Sequence, residues 1–202
     1  MPYHAHSMNI EKIFQNFAYI CGIDEAGRGP WAGPVFAAAV ILPKTHTIKG
    51  LNDSKKLSEK ERERLFEEIQ KQAISFGIAS SSEKEIDQLN ILIATKKAMM
   101  KALKKLSQKP DLIIIDALNL NIPEIPQIQF IKGDERFEAI SAASILAKVS
   151  RDIYTKKIAK KYPQYGFEIH KGYGTKKHQE ILKKMGACPL HRKSFEPIKK
   201  LV

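Results

Sequence analysis

Two short apolar runs stand near the start of the chain, Tyr19 to Ile23 ending at Asp24, and Val35 to Leu42 closed by Pro43. Their length and apolar content predict buried strands. The turn between them holds Gly27, Gly29, Pro30, Gly33 and Pro34, and a connection this short permits an antiparallel hairpin. Ser58 with Glu61 three residues on is a capping-box signature, and Leu65, Phe66, Ile69 and Ala73 then recur on one helical face. That helix feeds a strand near Ile74 to Ala79. Ser82 with Glu85 repeats the signal, and Ile86, Leu89, Ile93, Leu103 and Leu106 predict a long helix or a broken pair ending before Pro110. A strand follows at Leu112 to Ile115, ending at Asp116. Phe137 to about Lys161 is Ala-rich and free of Gly and Pro, which predicts a long helix, and Lys176 to Met185 predicts another, stopped by Gly186.

Strands alternating with helices predict an α/β fold with a central mixed β-sheet flanked by helices. A length of 202 residues with 43% hydrophobic content suits one core, and no low-complexity stretch divides it. The expected organisation is an N-terminal lead, 1–18, read as disordered, in which Pro2 to Ser7 reads as a disordered lead or a cloning remnant, and one domain, 19–202, with a C-terminal appendage. Lys and Arg number 34 against 22 Asp and Glu, a formal net charge of +12 that favours a polyanionic partner such as nucleic acid. Cys21 and Cys188 form no Cys-x-x-Cys pair and read as reduced, packed thiols of a cytoplasmic protein. No apolar run is long enough for a membrane span.

The acids fall at telling places. Asp24 and Asp116 each follow an apolar run, so both carboxylates emerge at strand ends, where open α/β sheets carry their sites. Glu25 follows Asp24, and neighbouring strand side chains point to opposite faces. Both can serve one site only if the chain turns there, and Gly27 and Gly29 permit that turn. Asp134 stands just before the long helix, where a capping role is the plainer alternative. Clustered carboxylates without a competing Cys/His group describe a site for hard cations such as Mg2+ or Mn2+. The long helix carries Ser144, Lys148 and Arg151 on one face, as either a phosphate path or a solvated basic face. Lys171-Gly172-Tyr173-Gly174-Thr175 sets an aromatic between two glycines, able to stack on a sugar or base or to anchor in a core loop.

These segments together resemble a known family. Gly22-Ile23-Asp24-Glu25-Ala26-Gly27-Arg28-Gly29-Pro30, with Gly33-Pro34-Val35 behind it, resembles the opening motif of ribonuclease HII, the type II ribonuclease H. Asn52-Asp53-Ser54-Lys55-Lys56-Leu57, Lys132-Gly133-Asp134, Ile140 to Val149 with Arg151-Asp152, Lys171 to Thr175, and His191-Arg192-Lys193-Ser194-Phe195 resemble its later blocks, in order, from Tyr19 to Phe195. The resemblance implies a ribonuclease H-like fold with a C-terminal helical extension. It implies that Asp24, Glu25, Asp116 and Asp134 are the catalytic acids and hold the divalent cations. It implies that Gly27, Arg28 and Gly29 recognise the 2'-hydroxyl at an RNA-to-DNA junction and that Tyr173 stacks on the neighbouring deoxyribose. Ala117 departs from the family, which often has Gly there. Related type III enzymes carry an extra N-terminal domain and usually end the acid set with Glu, so Asp134 and the short lead favour type II.

The expected activity is two-metal hydrolysis of the RNA strand of RNA/DNA hybrids, with cuts 5' to single ribonucleotides in duplex DNA, leaving 5'-phosphate and 3'-hydroxyl ends. Such an enzyme serves DNA replication and ribonucleotide excision repair. Lys55, Lys148, Arg151 and Lys171 are expected to contact backbone phosphates, beside Ser144. The expected partners are RNA/DNA hybrids and ribonucleotide-containing duplexes, bound by a monomer. A non-catalytic nucleic-acid-binding module is the alternative, and a structural scaffold with incidental acids is the third.

Overall fold

The core is built around five strands in the order β3-β2-β1-β4-β5, as seen in a computed structural model that describes residues 10–116 and 118–201. The first strands are β1 (Ile20–Ala26) and β2 (Val35–Ile41), paired antiparallel. β3 (Ser75–Ser81) continues antiparallel to β2, whereas β4 (Leu112–Asp116) runs parallel to β1, and β5 (Gln127–Phe130) parallel to β4. The sheet is therefore mixed. Ahead of it, α1 (Ile10–Gln15) falls within the stretch expected to be a disordered lead, yet Ile10, Ile13, Phe14 and Phe17 pack on Leu112, Ile114, Ile128, Phe130 and Ile140. That apolar spacing gives even a short helix a face to bury. The rest of the lead, 1–9, and Ala117 lie outside the described residues.

Both capping boxes form: Ser58 opens α2 (Glu59–Gln72) and Ser82 opens α3 (Glu83–Leu89), each exchanging bonds with the Glu three residues on. The stretch up to Pro110 is a broken pair, because Asn90 takes φ 69° and its side chain accepts from Ile93 N–H to start α4 (Ile91–Leu103). Asn tolerates positive φ better than most residues and is a good N-cap. Strand β5 has no counterpart in the sequence reading. It is four residues long, with only Ile128 and Phe130 turned inward, too little periodicity to stand out between Pro126 and Gly133.

Alternation along β1 divides the core into two layers. Cys21 and Ile23 pack with Ala94, Ala98 and Met99 of α4 on one side of the sheet. Gly22, Asp24 and Ala26 face the other side, covered by α5 (Glu138–Lys161). Contact there is close: a Cβ on Gly22 would overlap the backbone of Ala139 and Ile140. Because backbone cannot rotate away, Gly22→Ala is expected to destabilise by about 3 kcal/mol. For a domain of this size that lowers Tm by about 6–12 °C; an unchanged melting curve would show that α5 does not sit this close.

At about 1.5 Å per residue, the 24 residues of α5 run about 36 Å and reach well past the sheet. Its far half, with Ile158 and Ala159, carries the C-terminal elements α6 (Phe167–His170), α7 (Lys176–Met185) and α8 (Glu196–Lys199). Trp31 and Ala32, from the turn between β1 and β2, pack into the same cluster. The expected helical extension thus closes against the turn that follows Asp24 and Glu25.

Candidate active site

Strand β1 continues through Asp24 and Glu25 to Ala26, so neither acid lies beyond a strand end as the apolar run suggested; the strand simply turns polar. Ile23 is level with Ile115 in the parallel pair, which puts Asp24 level with Asp116 on adjacent strands, on the face covered by α5. Adjacent strands lie about 4.8 Å apart, so the two carboxylates are neighbours. Asp134 arrives in a 3-10 turn, Gly133–Glu135, just ahead of α5. Gly133 N–H donates to Asp116 Oδ1 at 3.4 Å, and Ser141 Oγ donates to the Asp134 carbonyl at 2.6 Å. Glu25 follows on the same strand, close enough to Asp24 and Asp116 for their charges to act on it, and Arg28 meets it at 3.3 Å.

The acids act on one another through their charges: Glu25 and Asp134 on Asp24, and Asp116 on both Glu25 and Asp134. Burial raises the Asp24 carboxyl well above the ordinary range, and the charges of Glu25 and Asp134 push it further. Glu25 is raised by burial and by Asp116, against the pull of Arg28. Asp134 is raised by burial, then by Asp53 and Asp116. Burial draws the Lys55 ammonium down, but Asp53, Asp134, Asp24 and Asp116 outweigh it and raise it. Negative charge is thus concentrated beyond what the protein neutralises.

Asp53 is a site residue that sequence reasoning passed over. It is buried, and its Oδ1 accepts from Lys55 N–H at 2.9 Å, which shapes the turn that presents Lys55. The signal was its place in the Asn52 to Leu57 block, where an Asp two residues before a Lys forms such a turn. Ser144 is buried on α5, within reach of Asp24 and 2.9 Å from Ser54 Oγ.

An all-oxygen donor set suits a hard divalent cation, and such an ion would offset the burial and the mutual repulsion that raise Asp24, Glu25 and Asp134. The carboxylates are not drawn into one cage: among the described residues no three Asp, Glu, His or Cys side chains form a group that could hold a metal ion. Three take a protein partner instead, Asp24 the N–H of Glu25, Glu25 the guanidinium of Arg28, and Asp116 the N–H of Gly133.

The expected basic stripe on α5 divides. Lys148 Nζ donates to Asp152 at 2.7 Å and stays half-buried, whereas Arg151 is 2% exposed and cannot line an open phosphate path. Its side chain lies beneath Gly27, which has φ +97° and no room for a Cβ over Arg151. The guanidinium sits 5.6 Å from the centre of the Tyr173 ring and donates to the Lys171 carbonyl at 2.8 Å. Tyr173 is 45% exposed, with its ring edge alongside Gly29. The loop from half-buried Lys171 to Thr175 is docked on the turn after β1: Trp31 N–H donates to Gly172 O at 2.8 Å, and Gly174 abuts the Trp31 ring. Gly27, Arg28, Gly29 and Tyr173 therefore form one continuous surface beside the acids.

Behind that surface, His170, His178 and His191 are buried together, apart from the acids. His178 Nδ1 donates to the Tyr173 carbonyl at 2.9 Å, His191 shares a 3.0 Å ring-to-ring bond with His178, and His191 Nδ1 accepts from Cys188 N–H. The chain is satisfied with both imidazoles neutral. Burial, with His170 alongside, pushes His178 and His191 down to about 4. A folded-state value below the unfolded one means that their contribution is complete above about pH 6.5 and is lost as pH falls toward 4. Tm is therefore expected to fall across that window, and to fall less steeply in His191→Asn. An unchanged slope in the variant would assign the acid sensitivity to other groups.

Comparison with known proteins places the chain. The family model described as Ribonuclease HII matches residues 21–198. Ribonuclease HII of Ruminiclostridium cellulolyticum is 54% identical over 189 residues, 94% of this chain and 74% of that one. Its counterpart in Geobacillus sp. is 56% identical over 188 residues, 93% of this chain and 68% of that one. Among solved structures, ribonuclease H2 from Pyrococcus horikoshii superposes with a TM-score of 0.77 at 28% identity, covering 91% of this chain and 96% of that one. With the family model, the curated relatives and the fold in agreement, this chain belongs to the ribonuclease HII family of divalent-metal-dependent endonucleases.

Proposed function

We propose that this protein hydrolyses the RNA strand of RNA/DNA hybrids and cuts on the 5' side of single ribonucleotides embedded in duplex DNA. One observation carries the reading: a concentration of under-neutralised carboxylates on β1, β4 and the turn before α5 lies beside a glycine-flanked surface shared by Gly27–Gly29 and Tyr173. Asp24, Glu25, Asp116 and Asp134 would hold two Mg2+ or Mn2+ ions. When bound, such a pair supplies activation of the attacking water and stabilisation of the leaving 3'-oxygen.

The chain's own residues do the rest. Asp24 and Asp116, level on adjacent strands, fix where the reacting phosphate is received. Backbone at Gly27 to Gly29 approaches the sugar without a Cβ at either glycine, and the 2'-hydroxyl is the group by which RNA differs from DNA. Tyr173 offers an exposed ring to the next sugar, backed by Arg151, so Arg151 acts from behind the surface rather than on a phosphate. Lys55, Lys148 and Lys171 contribute phosphate contacts around it, which orient a duplex without reading its sequence. Ser144 holds Asp24 in place.

Incubating an RNA/DNA hybrid with Mg2+, with Mn2+ and with a chelator tests the chemistry. Cleavage with a cation, none with chelator, and products ending in 5'-phosphate and 3'-hydroxyl are expected. Binding without cleavage under every condition would favour the non-catalytic module.

A further inference from the structure

The segment His191 to Ser194 is clamped from three sides. His191 bridges to Ala32, Arg192 N–H donates to the Trp31 carbonyl at 2.8 Å, and Asp87 accepts from the N–H groups of Lys193 and Ser194 at 3.0 and 2.8 Å. From this fixed base the Arg192 side chain, 0% exposed, runs into the turn after β1. There its guanidinium gathers three main-chain carbonyls: Nε donates to Gly33 O at 2.8 Å, one terminal nitrogen to Arg28 O at 2.8 Å, and the other to Gly27 O at 2.6 Å. No carboxylate of the described residues lies within ion-pair distance of it. A buried cation with no carboxylate in contact is costly, and all three hydrogen bonds of this guanidinium go to one turn.

That shape has a consequence for the opposite side of each peptide. In a trans peptide the C=O and N–H point in opposite directions, so drawing Gly27 O and Arg28 O inward turns the N–H groups of Arg28 and Gly29 outward. Among the described residues neither N–H has an acceptor in the protein, and both residues are exposed. Gly27, at φ +97°, supplies the backbone bend that aligns the two peptides.

We propose that Arg192 is a positioning residue for ribonucleotide discrimination, holding the Arg28 and Gly29 N–H groups as a fixed pair of donors for the 2'-oxygen of the substrate sugar. The inference rests on the reading above that this loop receives the 2'-hydroxyl. A guanidinium suits the task because its planar fork meets several acceptors at once, where an ammonium of similar reach would hold fewer.

The test is equilibrium binding in EDTA, where no turnover interferes, to two duplexes of one sequence, all-DNA and carrying a single ribonucleotide. Two modest hydrogen bonds give the parent about a tenfold preference for the ribonucleotide. Arg192→Gln is expected to bring that ratio to within about twofold of one, and Arg192→Lys to about threefold, while affinity for the all-DNA duplex stays within about twofold because phosphate contacts are made elsewhere. A purely structural role would weaken both duplexes together. A full parental ratio in folded Arg192→Gln overturns the inference, and if that variant does not fold, a full parental ratio in Arg192→Lys does so. The parent alone gives a further check by NMR: the Arg28 and Gly29 amide resonances should shift more with the ribonucleotide duplex than with DNA, and equal shifts overturn the donor pair. A parent with neither preference nor cleavage at the ribonucleotide would instead sink the underlying functional reading, and that failure is visible without any variant.

Discussion

Asp24→Asn is expected to lower cleavage by at least about a thousandfold with either cation, while leaving duplex affinity within a few fold. The substitution keeps the shape of the side chain and removes the charge by which a cation would be held, and a metal's stabilisation of a phosphoryl transition state is worth several kcal/mol. Each 1.36 kcal/mol lost is a factor of ten in rate. Binding survives because affinity for duplexes comes from cations contacting backbone phosphates. Stability gives an independent readout. Burial, Glu25 and Asp134 all oppose ionisation of Asp24, so a neutral amide relieves an unfavourable charge, and the Tm of the variant should equal or exceed that of the parent. Loss of activity together with a lower Tm would mean a misfolded site instead. Asp116→Asn should match the activity loss, since its carboxylate stands level with Asp24 on the adjacent strand. Near-parental turnover in either variant would remove these carboxylates from the chemistry.

Tyr173→Ala is expected to lose about 5- to 150-fold on a duplex with one ribonucleotide, because stacking on nucleic acid is worth about 1–3 kcal/mol and in the proposed complex would be made beside the reacting bond. The ring is 45% exposed, its edge lies along Gly29, and Arg151 stands behind it. On a continuous RNA/DNA hybrid the loss should be smaller, since no deoxyribose follows the cut there. Tyr173→Phe should keep most activity on both substrates, because the Tyr173 hydroxyl has no hydrogen bond in the protein among the described residues. Equal turnover by Tyr173→Ala and the parent on the single-ribonucleotide duplex would take the ring out of the site.

What the sequence made legible is what local rules determine. The capping boxes at Ser58 and Ser82, the Gly- and Pro-free run of α5 and the stop at Gly186 are short-range signals, and each reappears as a helix boundary. The site was less legible because its geometry is long-range. Asp24 and Asp116 were readable as acids after apolar runs, but their level placement depends on β1 and β4 pairing in parallel across some ninety residues. Arg151 shared a helical face with Ser144 and Lys148, and nothing local said that the face would be split by the turn after β1 closing over it. Arg192 belonged to a recognised block, yet only tertiary structure shows that its fork reaches carbonyls more than 150 residues away. Resemblance filled part of that gap by carrying spatial information that periodicity lacks.

The most direct measurement maps the cut on a DNA duplex carrying one ribonucleotide, end-labelled and incubated with Mg2+ or Mn2+. Carboxylates that act beside a loop reading one 2'-hydroxyl should give a single product, cleaved on the 5' side of the ribonucleotide, with the matching all-DNA duplex left intact. Cleavage only within runs of several ribonucleotides, or on the 3' side of the single one, would contradict the junction reading at Gly27–Gly29 and Tyr173.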